Sequence, residues 1–393
     1  MAYKRITLKP KREASLLRRH PWVFSGGVGA KDDDLSDGDL VEVYSKRGDF
    51  LGTGHYTNGS IMVRVLSFEK TSIDHTFWEN KFQKAFDYRS QLGLLDDPST
   101  NCFRLIHAEG DGLPGLIIDL YGDTAVIQCH AIGMYQQIDT IAAALVKVSN
   151  GLINNVYQKS KETLPAQFAR SIQNDYLIGG ASEGIVLENG HQFIANWETG
   201  QKTGFFLDQR NNRNRLADFV KDKTVLNTFC YTGGFSVYAL AAGASQVDSV
   251  DISSKAMVLT DQNIALNAYA GQHQSITADV LPFFKELNTE YDVIVVDPPA
   301  FAKNLKKRHN AVQGYKRLNA LALRKVKSGG FLFTFSCSQV VGRQLFQDTM
   351  VAAALEAGRK VRIVEHLGQP ADHPVNLFHP EGSYLKGLIL YVE

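Results

Sequence analysis

Hydrophobic and polar positions along the chain change rhythm twice. Up to about residue 70 the period is two. Asp39-Leu40-Val41-Glu42-Val43-Tyr44 alternates, Lys46-Arg47-Gly48-Asp49 supplies a turn, and Phe50 to Tyr56 resumes. Thr57-Asn58-Gly59 turns again before Ile61-Met62-Val63-Arg64-Val65. Successive strand side chains point to opposite faces, so this stretch predicts a small all-β, barrel-like module. Asp74 to Gln91 shifts to helical spacing, with Phe77, Trp78, Phe82, Phe86 and Tyr88 as its apolar positions. Between about 100 and 180, strands are predicted at Phe103 to Ala108, Leu116 to Leu120, Thr124 to Cys129 and Asn155 to Gln158. A helix over Ile138 to Val148 makes this a compact α+β segment.

From about residue 184 the rhythm changes again. Asn189-Gly190 between two alternating runs is a hairpin signal. Strands then alternate with helices: Thr224 to Thr228, Gln246 to Asp251, a short strand ending at Ala278-Asp279, Asp292 to Asp297 and Phe331 to Phe335. Helices fall over Phe235 to Ala242, Ser253 to Ala270, a basic stretch ending near Lys327, and Gly342 to Ala357. Val361 to Glu365 and Leu385 to Val392 are two final strands. This alternation predicts an α/β, doubly wound, mostly parallel sheet, whose ligands sit beyond the carboxyl ends of its strands. Domains are expected over 1–72, 73–182 and 183–393.

A length of 393 residues is consistent with two or three domains. Hydrophobic (44%) and charged (21%) fractions are those of a soluble globular protein, and no run approaches the roughly 18 apolar residues of a membrane span. Met1 to Pro10 is basic without an apolar core behind it, so it does not read as a secretory signal. Cys102, Cys129, Cys230 and Cys337 are scattered, without metal-ligand spacing. They read as reduced thiols of a cytoplasmic protein, and no metal is expected.

Net charge is only +1, but it is unevenly spread. The first 20 residues carry seven Lys or Arg, including Arg18 and Arg19, against one acid. Ala300 to Gln347 carries ten, including Lys306, Lys307 and Arg308, and no acid. Two such patches fit a polyanion such as RNA, although either alone fits a solvated face equally well.

Candidate chemistry gathers at the predicted strand ends. Leu226-Asn227-Thr228-Phe229-Cys230-Tyr231-Thr232-Gly233-Gly234-Phe235 runs from strand through a tight turn into a helix, and its glycines allow close backbone approach to a ligand. Asp251 ends the next strand, where a carboxylate can accept both ribose hydroxyls; it could equally cap the helix after it. Asp279 ends the third strand, where it can accept an adenine amino proton. Asp297-Pro298-Pro299-Ala300-Phe301 forms a stiff turn that can present an acid to a flat ring beside an aromatic side chain. Phe335-Ser336-Cys337-Ser338 ends the fifth strand. Its cysteine suits either a thiolate favoured by positive surroundings or a small buried hydrophobe.

Taken in order, these segments resemble bacterial large-subunit (23S) ribosomal RNA cytosine-C5 methyltransferases. The resemblance extends to Thr203-Gly204-Phe205-Phe206-Leu207-Asp208-Gln209-Arg210, Ala371-Asp372-His373-Pro374 and Pro380-Glu381-Gly382-Ser383-Tyr384-Leu385-Lys386-Gly387. It covers nearly the whole chain and implies three parts: an RNA-binding PUA-like barrel, a central α+β domain, and a Rossmann-like class I methyltransferase domain.

The resemblance implies S-adenosylmethionine as cofactor, held by Asn227, Phe229, Tyr231, Thr232, Gly233, Gly234, Asp251, Ile252, Asp279 and Val280. Gln209 and Arg210 lie against the cofactor or the target, and Asp297, placed beside the cofactor too, faces the target base as a catalytic residue that donates to or orients its ring nitrogen. Pro298, Pro299 and Phe301 meet the base, and Cys337 is the nucleophile. The implied partner is large-subunit ribosomal RNA, with no membrane partner; a homodimer is compatible. Asn227 replaces the acid common at this position in the wider methyltransferase pattern, a variant the family shares. Carbon 5 of cytosine is a poor nucleophile until a thiolate adds at carbon 6, which is the chemistry such a cysteine supplies. Methylation of a base nitrogen with Cys337 a bystander, an inactive ribosome-assembly factor, and a nicotinamide oxidoreductase are the competing readings.

Overall fold

A computed structural model describes residues 3–180, 184–302 and 304–393; the boundary expected at 182 and 183 lies outside them. Two units emerge from the contacts: Met1–Val186 with Ala195–Leu207 and Ala371–Gly382, and Leu187–Ile194 with Asp208–Pro370 and Ser383–Glu393.

The first unit contains two large sheets. Strands β1 (Lys4–Leu8), β2 (Trp22–Phe24), β3 (Val28–Lys31), β4 (Leu40–Tyr44), β5 (Phe50–Tyr56) and β6 (Ile61–Ser67) lie in the order β2-β6-β5-β4-β1-β3. Ile6, Leu8, Val41, Val43, Val63 and Val65, at alternate positions, are all buried in one core. The alternation in β1 is only five residues long and is interleaved with Lys4, Arg5 and Thr7, which hid the strand among basic residues.

Strands β7 (Cys102–His107), β8 (Leu116–Tyr121), β9 (Thr124–Cys129), β10 (Asn155–Gln158) and β11 (Asp175–Ile178) form the second sheet, in the order β11-β10-β9-β8-β7. Helix His75–Gln91 starts where the Asp74 carboxylate accepts the Phe77 N–H at 3.0 Å. Its Trp78, Phe82 and Phe86 share a core with Ile141 and Leu145 of helix Ile138–Val148 and with Ile118 and Ile127 of the sheet.

Segments 195–207 and 371–382 were expected in the C-terminal domain, yet they gather with the first unit because polar anchors tie them there. Thr203 donates to Asp119 at 2.6 Å, and Lys159 to the Gly200 carbonyl at 2.6 Å. Buried Asp372 accepts the Arg104 N–H at 2.9 Å, and Arg89, paired with Asp111, donates to the Asp372 carbonyl.

Hairpin β12 (Gly184–Glu188) and β13 (His191–Ala195) turns at Asn189 and Gly190, both with positive φ. In the second unit β14 (Thr224–Thr228), β15 (Gln246–Asp251), β16 (Gln272–Thr277), β17 (Tyr291–Val296), β18 (Val326–Ser336), β19 (Val361–Gly368) and β20 (Lys386–Val392) make a seven-stranded sheet. The order is β16-β15-β14-β17-β18-β20-β19. β14 to β18 are mutually parallel, and β20 runs antiparallel to both its neighbours. Successive residues face opposite cores: Ile294 and Val296 lie in one, Val293 and Val295 in the other. Burial on both faces is why the middle strands read as apolar runs rather than alternating ones. A leading all-β module followed by an α/β, mostly parallel C-terminal sheet is the architecture the chain rhythm implied. Among the described residues no helix is long and apolar enough to cross a membrane.

Candidate active site

Register brings the candidate residues to one edge of the second unit's sheet. Thr228 is level with Val250 and with Val296, Val296 with Thr334, and Asp251 with Thr277. One to three residues further on, Phe229, Asp251, Asp279, Asp297 and Cys337 therefore all emerge at the carboxyl ends.

The loop after β14 has an uncommon backbone. Phe229, Tyr231 and Gly233 have φ of 57°, 49° and 76°, so alternate residues are left-handed, two of them bulky. Such strain persists only where surroundings over-determine it, and it concentrates at functional sites. Here the surroundings are identifiable. Thr260 donates to the Tyr231 carbonyl at 2.9 Å and Asn263 to the Thr232 carbonyl at 2.8 Å, both from helix Ser254–Asn267. A Cβ on Gly233 would lie 2.6 Å from Thr260 Cγ2, and one on Gly234 would lie 2.9 Å from Arg213 Cδ. Helix Gly234–Ala241 starts directly behind this loop.

Asp251 accepts the Tyr231 N–H at 3.1 Å on one oxygen and the Ser253 N–H at 2.9 Å on the other. It thus joins the glycine loop to the next loop, while Ser253 caps helix Ser254–Asn267. Ile252 is exposed. Asp279 is exposed and caps helix Val280–Glu286, accepting from Leu281 N–H at 3.1 Å, with Val280 buried behind it. Asn227 is buried within the sheet and donates to Ser236 at 2.8 Å, the first link of a chain through Ser249 to His273.

At the end of β17, Asp297 accepts from Gln209 Nε2 at 2.9 Å. Asn212, buried in helix Arg210–Leu216, donates to Gln209 Oε1 at 2.6 Å and to the Gly368 carbonyl at 3.1 Å. Asn212 therefore fixes which end of the Gln209 amide faces Asp297. Pro298 is buried and Pro299 exposed. The Phe301 ring lies 4.6 Å from that of Tyr315, tilted by 37°, so one side of it is packed within the protein. Arg210 is buried, and its neighbour Arg213 forms a bidentate pair with buried Glu188 at 2.8 and 2.7 Å.

Cys337 follows β18 and is the one cysteine of the four that is not buried. Burial pushes the Cys129 thiol up to about 12 and raises that of Cys230, which packs 3.8 Å from the Met257 sulfur. Both are protected from ionising.

Arg18 and Arg19 are exposed in the first unit, with the Arg19 guanidinium 5.1 Å from the Phe68 ring centre. Lys306, Lys307 and Arg308 are exposed in the second, at the start of helix Arg308–Leu323. In the first unit His20, His379 and Glu381 bring polar atoms within 4.8 Å of one another. His20 Nδ1 accepts the Trp22 N–H at 3.2 Å, which leaves the proton on Nε2 facing Glu381 at 3.5 Å. A metal-bound imidazole has the reverse arrangement, so His20 is not set up as a metal ligand here.

Sequence reasoning did not single out Asn212, Thr260, Asn263 or Glu188. Each is a polar residue that acts through another residue, and no spacing marks such a partner.

Two family models match the chain: a PUA-like domain over residues 6–68, and an S-adenosylmethionine-dependent methyltransferase over residues 149–389. Proteins named ribosomal RNA large subunit methyltransferase I are similar along their whole length. The one from Alteromonas mediterranea is 39% identical over 394 residues, covering 98% of each chain. That from Shewanella denitrificans is 40% identical over 397 residues, covering 99% of each. A methyltransferase crystal structure complexed with SAH matches 99% of this chain and 100% of that one, with a TM-score of 0.84 and 26% identity. An S-adenosylmethionine-dependent methyltransferase from Streptococcus mutans gives the same values.

Proposed function

This chain belongs to the S-adenosylmethionine-dependent methyltransferase family, and from that premise we propose that it methylates carbon 5 of a cytidine in large-subunit ribosomal RNA, through a covalent bond between Cys337 and the base. The ribosomal substrate is supported by relatives of that name aligned over nearly the whole chain. The chemistry is supported chiefly by one observation: among the described residues, the only cysteine that is not buried follows β18, beside the strand that leads into Asp297.

The residues at this edge fit the cofactor. The Asp251 carboxylate is held by two backbone N–H groups and suits a ribose diol; Asp279 is exposed at the next strand end. The left-handed loop at 229–233 turns its backbone close to whatever lies in front of helix Gly234–Ala241. When bound, S-adenosylmethionine supplies an electrophilic methyl group.

This chain's residues do the rest. Cys337 adds as a thiolate to carbon 6, and the carbon 5–carbon 6 electron pair makes carbon 5 nucleophilic. Gln209, oriented by Asn212, donates to Asp297 and keeps that oxygen an acceptor. Asp297 then suits a base edge that donates, as the cytosine amino group does. Loss of the carbon 5 proton and departure of Cys337 restore the ring. The target base must leave its stack to reach such a site.

RNA bearing 5-fluorocytidine tests the reading, because fluorine cannot leave as a proton. A cofactor-dependent protein–RNA adduct mapping to Cys337 is expected, and Cys337→Ala should give neither adduct nor 5-methylcytidine while still binding cofactor. Near-normal methylation by that variant, or a product methylated on nitrogen, would overturn it.

A further inference from the structure

β20 begins at Lys386, which stands opposite Ser336 in the antiparallel register with β18. Its side chain is buried, and Nζ donates to the carbonyls of Ser338 at 2.6 Å and Val341 at 2.7 Å. The ammonium is thus clamped under the turn that follows Cys337. It forms no ion pair with a carboxylate among the described residues, and residues 300–347 contain no acid. An ammonium removed from water is strongly disfavoured unless an anion compensates it.

Four titratable or charged groups bear on this corner. Burial pushes the Lys386 pKa down to about 8, Arg343 adds to the effect, and a charge on Cys337 opposes it. Tyr315, on helix Arg308–Leu323, is pushed up to about 12, chiefly by burial, with Cys337 and Asp297 both raising it. The phenol therefore stays neutral, and Arg343 repels the ammonium. Asp297 is already engaged by Gln209. Cys337, one residue before the carbonyl that Lys386 Nζ grips, is the group whose charge favours the ammonium.

We infer that Lys386 is the counter-charge of Cys337, a positioning residue that holds this thiol ionised and ready to add to the base. The inference rests on Cys337 being the nucleophile. With the sulfur already a thiolate, its electron pair forms the bond to carbon 6 and no proton has to be removed first. When the ring is restored, sulfur leaves as the same thiolate, beside the same ammonium. The coupling is reciprocal, because an ammonium stabilised by a thiolate stabilises that thiolate equally.

Iodoacetamide reacts with thiolates, and the other three cysteines are buried, so its rate against pH reads Cys337 directly in the full chain. Alkylation of the Cys337 peptide, followed by mass spectrometry, is expected to titrate well below the ordinary thiol value of about 8.5. Lys386→Met should raise that midpoint by a unit or more and slow alkylation at pH 7 about tenfold. Lys386→Arg, which keeps the charge, should restore it. A parent midpoint at or above about 8.5, or equal midpoints in parent and Lys386→Met, overturns the proposal. Should Lys386→Met fail to fold, the parent midpoint alone decides. Absence of a 5-fluorocytidine adduct alongside a low, Lys386-dependent midpoint would sink the nucleophile reading but not this pairing.

Discussion

Asp251 shows how one side chain answers two questions that the sequence leaves open. An acid at the end of a strand is either a ligand for a ribose or a cap for the next helix. The cap belongs to Ser253, and Asp251 instead spans two loops, its oxygens held by Tyr231 and Ser253 N–H groups. Replacing it removes a fixed, charged acceptor that suits two hydroxyls, a loss of roughly 2–5 kcal/mol. Asp251→Ala should weaken S-adenosylmethionine by at least about tenfold in a calorimetric titration, with the fold intact. An unchanged dissociation constant would refute the assignment. Acids such as Asp251, Asp279 and Asp297 were legible because each lies at, or one or two residues beyond, the end of a strand. Asn212 was not, since Arg210-Asn211-Asn212-Arg213-Asn214-Arg215 reads as a solvated stretch. Its partners are Gln209, three residues back, and the distant Gly368, and no spacing links the three.

Among elements, the loop from β14 to helix Gly234–Ala241 was predicted as a tight glycine turn, but its strain was not. Nothing in Phe229-Cys230-Tyr231 announces two left-handed bulky residues, because the constraint comes from Thr260 and Asn263 on the next helix. Gly233→Ala adds a methyl 2.6 Å from Thr260 Cγ2 at a φ of 76°. That substitution should cost on the order of 1–3 kcal/mol in urea unfolding and weaken cofactor binding as well. A variant equal to the parent in both measurements would show that the loop does not depend on this packing. Strands were legible where the alternation or the apolar run was long, as in β5, β9 and β15. They were missed where the strand is only three to five residues long, as in β1 to β3, the first and third of which also carry charges.

For the molecule as a whole, a net charge of +1 conceals two basic stretches, one in each unit. If Arg18 and Arg19 meet phosphates, RNA binding falls steeply with salt, because each neutralised phosphate releases counterions. Replacing both with Ala should flatten the slope of log affinity against log salt by up to about two, leaving cofactor affinity alone. Identical slopes would assign these arginines to an ordinary solvated face. The path of the chain has a consequence of another kind. It passes from the first unit to the second at residue 187, returns at 195, leaves at 208, returns at 371 and leaves again at 383. No single cut yields either unit whole, so neither can be exchanged between proteins as a cassette. During synthesis, β14 to β19 leave the ribosome before residues 371–382 exist to complete the first unit, and β20, which stands between β18 and β19, comes after both. The two units are therefore obliged to mature together, only after residues 371–392 have been made.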